Sequence, residues 1–301
     1  MVMPLNSNDR VYEDGYLKIE GINIYFKRFG KGNRHKLIAL HGGPGASHDY
    51  LIPLGELADR DFDVLLYDQF GSGNSDYPLS EGDYTLEHGV EEVEEIRSKF
   101  YGDDKINLLG HSYGGMLALA YALKYQNHLK TLISSSGVAS VKDTVEEMHM
   151  LISVLPEPHR SALINGERTG NYQSEEFKVA YDYFMKRHVL RASTYPPEVA
   201  RTLEMVDKRG TYLKMNGPSE FMITGTIRNV EILGELHRIK VPTLITCGQY
   251  DEVTPEIGEG IHREIEGSEF MTFPDSSHFH MWEQRGSYLN TVEEFVKRND
   301  R

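Results

Sequence analysis

A serine lies where a strand-like run meets a helix-like run, and this junction constrains the fold more than any other feature of the chain. The stretch "LLGHSYGGMLALAYALKYQ" covers residues 108–126. Its centre matches G-x-S-x-G, a sharp strand-to-helix turn that exposes the serine, here Ser112. Glycines at 110, 114 and 115 carry no Cβ, so the strand and the helix can approach closely. The serine is then expected at a helix N-terminus, where the helix dipole favours negative charge.

Short apolar runs alternate with helical patterns along most of the chain. A hairpin with a turn at Glu20-Gly21 is predicted over residues 16–29. Further strands are predicted at residues 36–40, 63–69, 106–110 and 129–137, and a strand followed by a turn is predicted at 241–251 and again at 269–278. Helices are predicted at residues 86–100, 255–266 and 288–298. Strands that alternate with helices indicate an α/β fold, with a mostly parallel sheet flanked by helices.

One long segment interrupts this alternation. Residues 140–225 contain no clear buried strand and carry Glu, Met, Tyr and Leu at helical spacing. We therefore predict two domains. Residues 1–139 and 226–301 form the α/β core domain, and residues 140–225 form a helical cap domain inserted between two strands of the sheet.

Charge and cysteine content exclude several classes of protein. The formal net charge of −14 over 301 residues argues against a nucleic-acid partner, which calls for a basic surface. The single cysteine, Cys247, cannot form an internal disulfide and indicates a reducing compartment. The stretch "MVMPLNSNDR" lacks the regions of a signal peptide, and no run of about 18 apolar residues is found. We expect a cytoplasmic protein that does not act at a membrane.

A serine needs a base to become a nucleophile, and the base needs a group that orients it. In chains with this turn the order is serine, then an acid, then histidine, with the latter two after late strands. Asp251 follows the run "VPTLITCGQY", and His278 follows "EFMTFPDSS". The predicted catalytic residues are therefore Ser112, Asp251 and His278.

A glycine-rich loop follows the first predicted parallel strand. "LHGGPG" at 40–45 can direct a backbone N–H at a reacting oxygen, so Gly43 and Tyr113 are the predicted oxyanion donors. His41 and His111 flank the glycine motifs and are expected to shape the backbone there.

Rival interpretations of these motifs are weaker. "GGPG" lacks both G-x-G-x-x-G and a P-loop lysine, which disfavours a phosphate or dinucleotide site. His278 and His280 form H-x-H, but no third metal ligand with matching spacing is nearby. No cofactor and no metal are therefore expected.

Five motifs together resemble a known family: "HGGPG", "DQFGSGNSD", "GHSYGG", "GQYDEVTP" and "SSHFHMWE". They are similar to the proline iminopeptidases, serine aminopeptidases of the α/β-hydrolase fold, and among them to the tricorn-interacting aminopeptidases. The likeness runs from about residue 17 to the C-terminus and includes "MNGPSEFMITGTIRN" at 215–229. It implies an α/β-hydrolase fold with a helical cap inserted after the sixth strand, over the site formed by the three catalytic residues named above.

The resemblance also implies substrate-binding residues. Glu220 and Glu252 match the acids that bind the free α-amino group in this family, and Trp282 and tyrosines of the cap are expected to line the side-chain pocket by analogy. The alternatives are a helix-cap role for Glu220, a solvated loop position for Glu252 and a core position for Trp282. The implied partners are short peptides with a free N-terminus and a larger, tricorn-like protease.

The expected activity is that of a metal-independent serine aminopeptidase. It would release N-terminal residues, proline and in a wider range other apolar residues, through an aminoacyl-enzyme. Two alternatives stay open at this point. One is a carboxylesterase or amidase of the same fold, and the other is a ligand-binding relative without turnover.

Overall fold

An eight-stranded sheet forms the centre of the molecule. The computed structural model describes residues 11–300, without the side chains of Val11, Tyr12 and Asp207. Predictions about residues 1–10 and 301 lie outside the described residues. The strands are β1 Val11–Ile19, β2 Ile22–Phe29, β3 His35–Leu40, β4 Phe62–Tyr67, β5 Ile106–His111, β6 Leu129–Ser135, β7 Thr243–Gly248 and β8 Glu269–Phe273. Their order is β1-β2-β4-β3-β5-β6-β7-β8, and the last six strands in this order are parallel.

The first two strands form the predicted hairpin at one edge of the sheet. Ile19 pairs with Ile22, so the loop between them is the two residues Glu20 and Gly21. Both have positive φ, 46° and 95°, which is the geometry that two-residue hairpin loops favour. β2 then pairs with β4 in antiparallel fashion and joins the hairpin to the parallel strands.

Helices cover both faces of the inner parallel strands, which explains why β3 to β7 are almost entirely buried, whereas the edge strand β8 is mostly exposed. Successive side chains of a strand point to opposite faces. Leu37 and Ile38 of β3 accordingly belong to two separate buried clusters. One cluster includes helices α1 Leu86–Tyr101, α2 Tyr113–Tyr125 and α8 Pro255–Glu264, and the other includes α10 Arg285–Asn299 and the 3-10 helix His48–Arg60.

The segment between β6 and β7 is helical, as predicted. It contains α3 Val141–Ser153, α4 His159–Thr169, α5 Glu175–His188, α6 Pro197–Arg209 and α7 Thr211–Met215. A short helix outside this segment, α9 His280–Glu283, precedes α10. The Ser140 and Ser174 side chains cap α3 and α5 by accepting backbone N–H bonds. The predicted fold class, a mostly parallel sheet with a helical insertion after the sixth strand, is confirmed.

Between residues 11 and 300, each helix is too short or too polar to cross a membrane.

Candidate active site

Ser112 lies at the turn between β5 and α2. Its backbone has φ 58° and ψ −124°, which non-glycine residues rarely adopt. The turn is tight because a Cβ added at Gly110 would lie 1.9 Å from the carbonyl oxygen of Gly114. The sequence therefore forces a strained serine out of the strand and in front of the first turn of α2, which is the geometry of an exposed nucleophile.

Asp251 and His278 follow the carboxyl ends of β7 and β8, and their side chains are in contact. His278 Nδ1 lies 2.7 Å from Asp251 Oδ1, and both residues are buried. A carboxylate only accepts hydrogen bonds, so His278 Nδ1 carries a proton and Nε2 is left as the base. Burial alone would raise the pKa of Asp251, but the His278 imidazole lowers it below its usual range. Asp251 therefore stays ionised beside the ring.

The base and the nucleophile line one cavity. Within residues 11–300, the Ser112 hydroxyl makes no hydrogen bond, and His278 Nε2 lies 3.7 Å from Glu252 Oε1. Catalytic hydrogen bonds often tighten only when the substrate is bound. Burial would lower the pKa of His278, but the carboxylates of Asp251, Glu252 and Glu220 overcome this and raise it to about 9.

The two predicted oxyanion donors have unused N–H groups. In the described part of the chain, neither the Gly43 N–H nor the Tyr113 N–H meets an acceptor. Gly43 and Ser112 line the same cavity, and Tyr113 directly follows the serine at the start of α2. These are the properties that an oxyanion hole requires.

Glu220 and Glu252 also line this cavity. Glu252 is 4% exposed, and its Oε2 has no hydrogen-bond partner among residues 11–300. Burial raises the pKa of Glu252 well above its usual range and also raises the pKa of Glu220. No lysine or arginine of the described chain forms an ion pair with either carboxylate. Carboxylates that line a cavity without a lysine or arginine partner are a ready site for a cationic group.

The remainder of the cavity is largely apolar. Its volume is about 560 Å³, within the range of small-molecule sites. The apolar and aromatic lining comes from the 3-10 helix region, from α5 and α6 and from the His278 loop, and includes Ala46, Tyr181, Met185, Val189, Leu203, Val206 and Phe279. A ligand with a cationic end and an apolar side chain matches this distribution.

Trp282 does not lie among the residues that line the cavity. Its indole Nε1–H donates to the Tyr50 carbonyl oxygen at 2.7 Å, and the ring packs against the buried cluster beneath α10. Trp282 therefore occupies the core position that is its alternative in the sequence analysis, and the expectation that it lines the pocket is corrected. The tyrosines Tyr172, Tyr181, Tyr195 and Tyr212 of the insertion do line the cavity.

The insertion is bonded to the loops that carry the acid and the base. The His188 carbonyl, at the end of α5, accepts from the Glu252 N–H at 3.2 Å and from the His278 N–H at 3.1 Å. The Val189 carbonyl accepts from the Phe279 N–H and from the Ser277 hydroxyl. The end of α5 is therefore hydrogen-bonded to both the Glu252 loop and the His278 loop.

Ser136 is a site residue that the sequence analysis missed. Its hydroxyl donates to Asp251 Oδ2, so the carboxylate is bonded through both oxygens. Ser136 directly follows β6 and has φ 47°. The signal that was available is its place at the carboxyl end of a parallel strand beside β7, where side chains of neighbouring strands meet.

The H-x-H pair does not converge. His280 contacts the Thr246 hydroxyl at 3.1 Å and the Ser136 hydroxyl at 3.4 Å, while His278 contacts Asp251. Among residues 11–300, no group of three histidine, cysteine, aspartate or glutamate side chains has the geometry of a metal site.

The fold and the site define a hydrolase of the alpha/beta hydrolase fold. The model of that family matches residues 37–284, which is most of the chain. This match confirms the predicted fold class.

The chain belongs to the proline iminopeptidase family. It is 50% identical over 285 residues to a proline iminopeptidase of Saccharolobus solfataricus, covering 94% of this chain and 92% of that protein. It is 49% identical over 288 residues to a proline iminopeptidase of Thermoplasma volcanium, covering 95% and 97%. The crystal structure of a Mycobacterium smegmatis proline iminopeptidase superposes with a TM-score of 0.90 at 27% identity, covering 96% and 99%. The predicted family and the predicted class, a serine hydrolase of aminopeptidase type, are confirmed.

Proposed function

We propose that this enzyme releases the first residue of short peptides through an aminoacyl-enzyme formed on Ser112. His278 Nε2 takes the Ser112 proton as the hydroxyl attacks the first peptide carbonyl, and Asp251 holds the Nδ1–H tautomer. The Gly43 and Tyr113 N–H groups receive the oxyanion. His278 then protonates the leaving amine, and a water molecule, activated by the same imidazole, hydrolyses the ester. Because the relatives are called proline iminopeptidases, proline is the proposed N-terminal residue of the substrate.

The observation that carries this proposal is the pair of carboxylates, Glu252 buried and Glu220 half-buried, that line the Ser112 cavity. Glu220 and Glu252 line the same cavity as Ser112, so they are available to a free α-amino group when the first carbonyl is beside the serine. An ammonium group would give Glu252 Oε2 the hydrogen bond that it lacks. A blocked N-terminus would bring no charge and would leave Glu252 Oε2 buried without a partner, which is costly.

Replacing Glu220 with glutamine tests whether this side chain binds the ammonium group of the substrate. We expect kcat/KM on prolyl-naphthylamide to fall on the order of 30- to 1000-fold, which is a loss of about 2 to 4 kcal/mol of transition-state stabilisation. The reason is that the isosteric amide keeps the shape of the side chain and removes its charge. An uncharged aryl ester should be affected much less. The measurement is steady-state kinetics of both substrates on wild type and variant.

A matched control is Asp182→Asn. Asp182 lines the same cavity, but its carboxylate is exposed and paired with Lys186 at 2.7 Å, so its loss should change neither substrate appreciably. An equal loss on the amide and on the ester in Glu220→Gln would contradict an ammonium-binding role. Acetylation of the substrate N-terminus should abolish cleavage, whereas an esterase or amidase without this site would tolerate it.

The pH dependence follows from the acids around His278. Because they raise the pKa of His278 to about 9, and the base must be neutral, kcat/KM for an uncharged ester should rise as the pH increases through about 9. A bound ammonium group offsets the charge of Glu220 and Glu252, so the corresponding limb of kcat for prolyl-naphthylamide should lie at lower pH. Profiles of both substrates measure this difference. Coincident limbs would contradict the coupling.

The wider setting is part of the same proposal. Residues 140–225 act as the cap domain over a core of residues 1–139 and 226–301. The single cysteine supports a cytoplasmic location, and the resemblance to tricorn-interacting aminopeptidases supports a larger protease as the source of the short peptides. Limited proteolysis, fractionation of the source cells and peptide-release assays with the large protease test these three points separately.

A further inference from the structure

Gly42, one residue before a proposed oxyanion donor, is packed against the nucleophile. A Cβ at this position would lie 2.8 Å from the Ser112 Cβ and 3.3 Å from its Oγ, so only glycine fits. Glycine leaves the backbone freer than any other residue does. An oxyanion donor, however, must be fixed before the reaction begins. Other groups must therefore hold the two peptide planes on either side of Gly42.

His41 holds the plane that follows Gly42. Its Nε2 lies 3.0 Å from the Gln69 N–H, and its Nδ1 lies 2.9 Å from the Gly42 carbonyl oxygen. A backbone N–H only donates and a carbonyl only accepts, so His41 must be the Nδ1–H tautomer. The Gln69 side chain also donates to the His41 carbonyl at 2.8 Å, which fixes the residue itself.

The Gly42 carbonyl and the Gly43 N–H belong to one peptide group. This peptide is trans, so its C=O and N–H point in opposite directions. A hydrogen bond that fixes the carbonyl on one side therefore fixes the direction of the N–H on the other. The His41 Nδ1–H bond thus determines where the Gly43 N–H points.

His111 holds the plane that precedes Gly42, through Tyr50. The Gly42 N–H donates to the Tyr50 hydroxyl at 2.6 Å, and that hydroxyl lies 2.9 Å from His111 Nδ1. His111 Nε2 lies 2.9 Å from the His278 carbonyl oxygen, so Nε2 carries the proton and Tyr50 donates to Nδ1. The tautomer of His111 is therefore opposite to that of His41.

We propose that His41 and His111 are positioning residues, two neutral imidazoles in opposite tautomers that clamp the peptide planes around Gly42 and thereby aim the Gly43 N–H at the oxyanion. This rests on the proposed function of Gly43 as a donor. Both rings are 0–1% exposed. Burial lowers the pKa of His41, and burial together with the neighbouring His278 lowers the pKa of His111 well below the usual range. Neither ring is then charged at neutral pH, which the clamp requires.

Two substitutions of His41 separate the clamp from simple packing. His41→Asn places an amide N–H at the position of Nδ1 and keeps the bond to the Gly42 carbonyl, but loses the acceptor for Gln69. His41→Gln keeps an acceptor for the Gln69 N–H and loses the bond to the Gly42 carbonyl. Each variant therefore removes one of the two ring contacts.

We expect His41→Gln to lower kcat by about 100-fold, as a misplaced catalytic group does, with little change in KM. The affinity for an α-aminoboronic acid, whose adduct with Ser112 puts an oxygen on the oxyanion donors, should fall in parallel. His41→Asn should stay within about tenfold of wild type in both measurements. Equal losses in the two variants, or full activity of His41→Gln, would overturn the proposal.

His35→Gln is the matched control. His35 is also buried, lies at the opposite end of β3, and loses a contact of its Nδ1 with Asp300 at 2.9 Å. It should lower stability in a denaturant titration without changing kcat or boronate affinity. A kcat loss in His35→Gln that matches its stability loss would mean that kcat reports global stability, and it would overturn the clamp.

The tautomers can be measured on the wild-type enzyme, even if a His41 variant fails to fold. Assigned histidine ¹⁵N spectra should show His41 as an Nδ1–H ring and His111 as an Nε2–H ring, and both should stay neutral down to acidic pH. If His41 were the Nε2–H tautomer, the clamp would be disproved. The kcat of the His41 variants is also measured on a p-nitrophenyl ester. This substrate separates the clamp from the proposed function, because it reports on the oxyanion donors even if the enzyme cleaved no peptide.

Discussion

Replacing Ser112 with alanine is expected to abolish turnover, with a loss in kcat on the order of 10⁶-fold, as in other serine hydrolases that lose the nucleophile. The fold should be unaffected. The hydroxyl makes no hydrogen bond with residues 11–300, and alanine at φ 58° is no more strained than serine. Multiple-turnover kinetics on prolyl-naphthylamide and a thermal melt measure the two effects.

Labelling with a fluorophosphonate is the control for this variant. The wild type should be labelled once, at Ser112, and Ser112→Ala should not be labelled. Turnover of the variant above about 10⁻³ of wild type, after removal of contaminating enzyme, would mean that another group attacks the carbonyl.

Replacing Asp251 with asparagine should have the second largest effect, a loss in kcat of about 10⁴-fold. The carboxylate accepts four hydrogen bonds, from His278 Nδ1, the Ser136 hydroxyl and the backbone N–H groups of Val253 and Gly248. An amide can accept only at one end. Whichever way it is turned, its NH₂ faces a backbone N–H, at 2.9 Å for Val253 or 3.3 Å for Gly248. Steady-state kinetics and a denaturant titration should reveal losses in both activity and stability.

Asp275→Asn is the matched control for this substitution. Asp275 lies on the turn after β8, at the same edge of the sheet, with an exposed side chain. Its replacement should change kcat less than twofold. A loss below about tenfold in Asp251→Asn would remove Asp251 from the role of orienting His278.

The inner parallel strands could be predicted from the sequence because they are buried on both faces. The run at 36–40 agrees with β3, His35–Leu40, to one residue. The ends were less accurate. β6 was predicted to reach residue 137, but it ends at Ser135 because Ser136 has φ 47° and leaves the sheet. The strand-then-turn pattern of 241–251 agrees better with the structure, since β7 ends at Gly248, before the turn.

Two site residues gave weak or no local signal. Ser136 and Tyr50 act through bonds to residues 115 and 61 positions away, Asp251 and His111. No periodicity or short motif encodes such contacts, because they arise only when the chain has folded. Trp282 was misplaced for the same reason. The analogy with the family placed Trp282 in the pocket, whereas the α9 turn directs the indole to the Tyr50 carbonyl.

The bonds from the end of α5 to the acid and base loops limit how the insertion can evolve and move. The main-chain N–H groups of Glu252 and His278 share a single acceptor, the His188 carbonyl. A lid that swung on the core would have to break these two hydrogen bonds in every catalytic cycle and would free the backbone of the acid and base loops each time. Grafting the helices of one relative onto the core of another would succeed only if the junction at residues 188–189 kept its register. Substrate entry is therefore expected from elsewhere on the rim, with this corner of the cap staying closed.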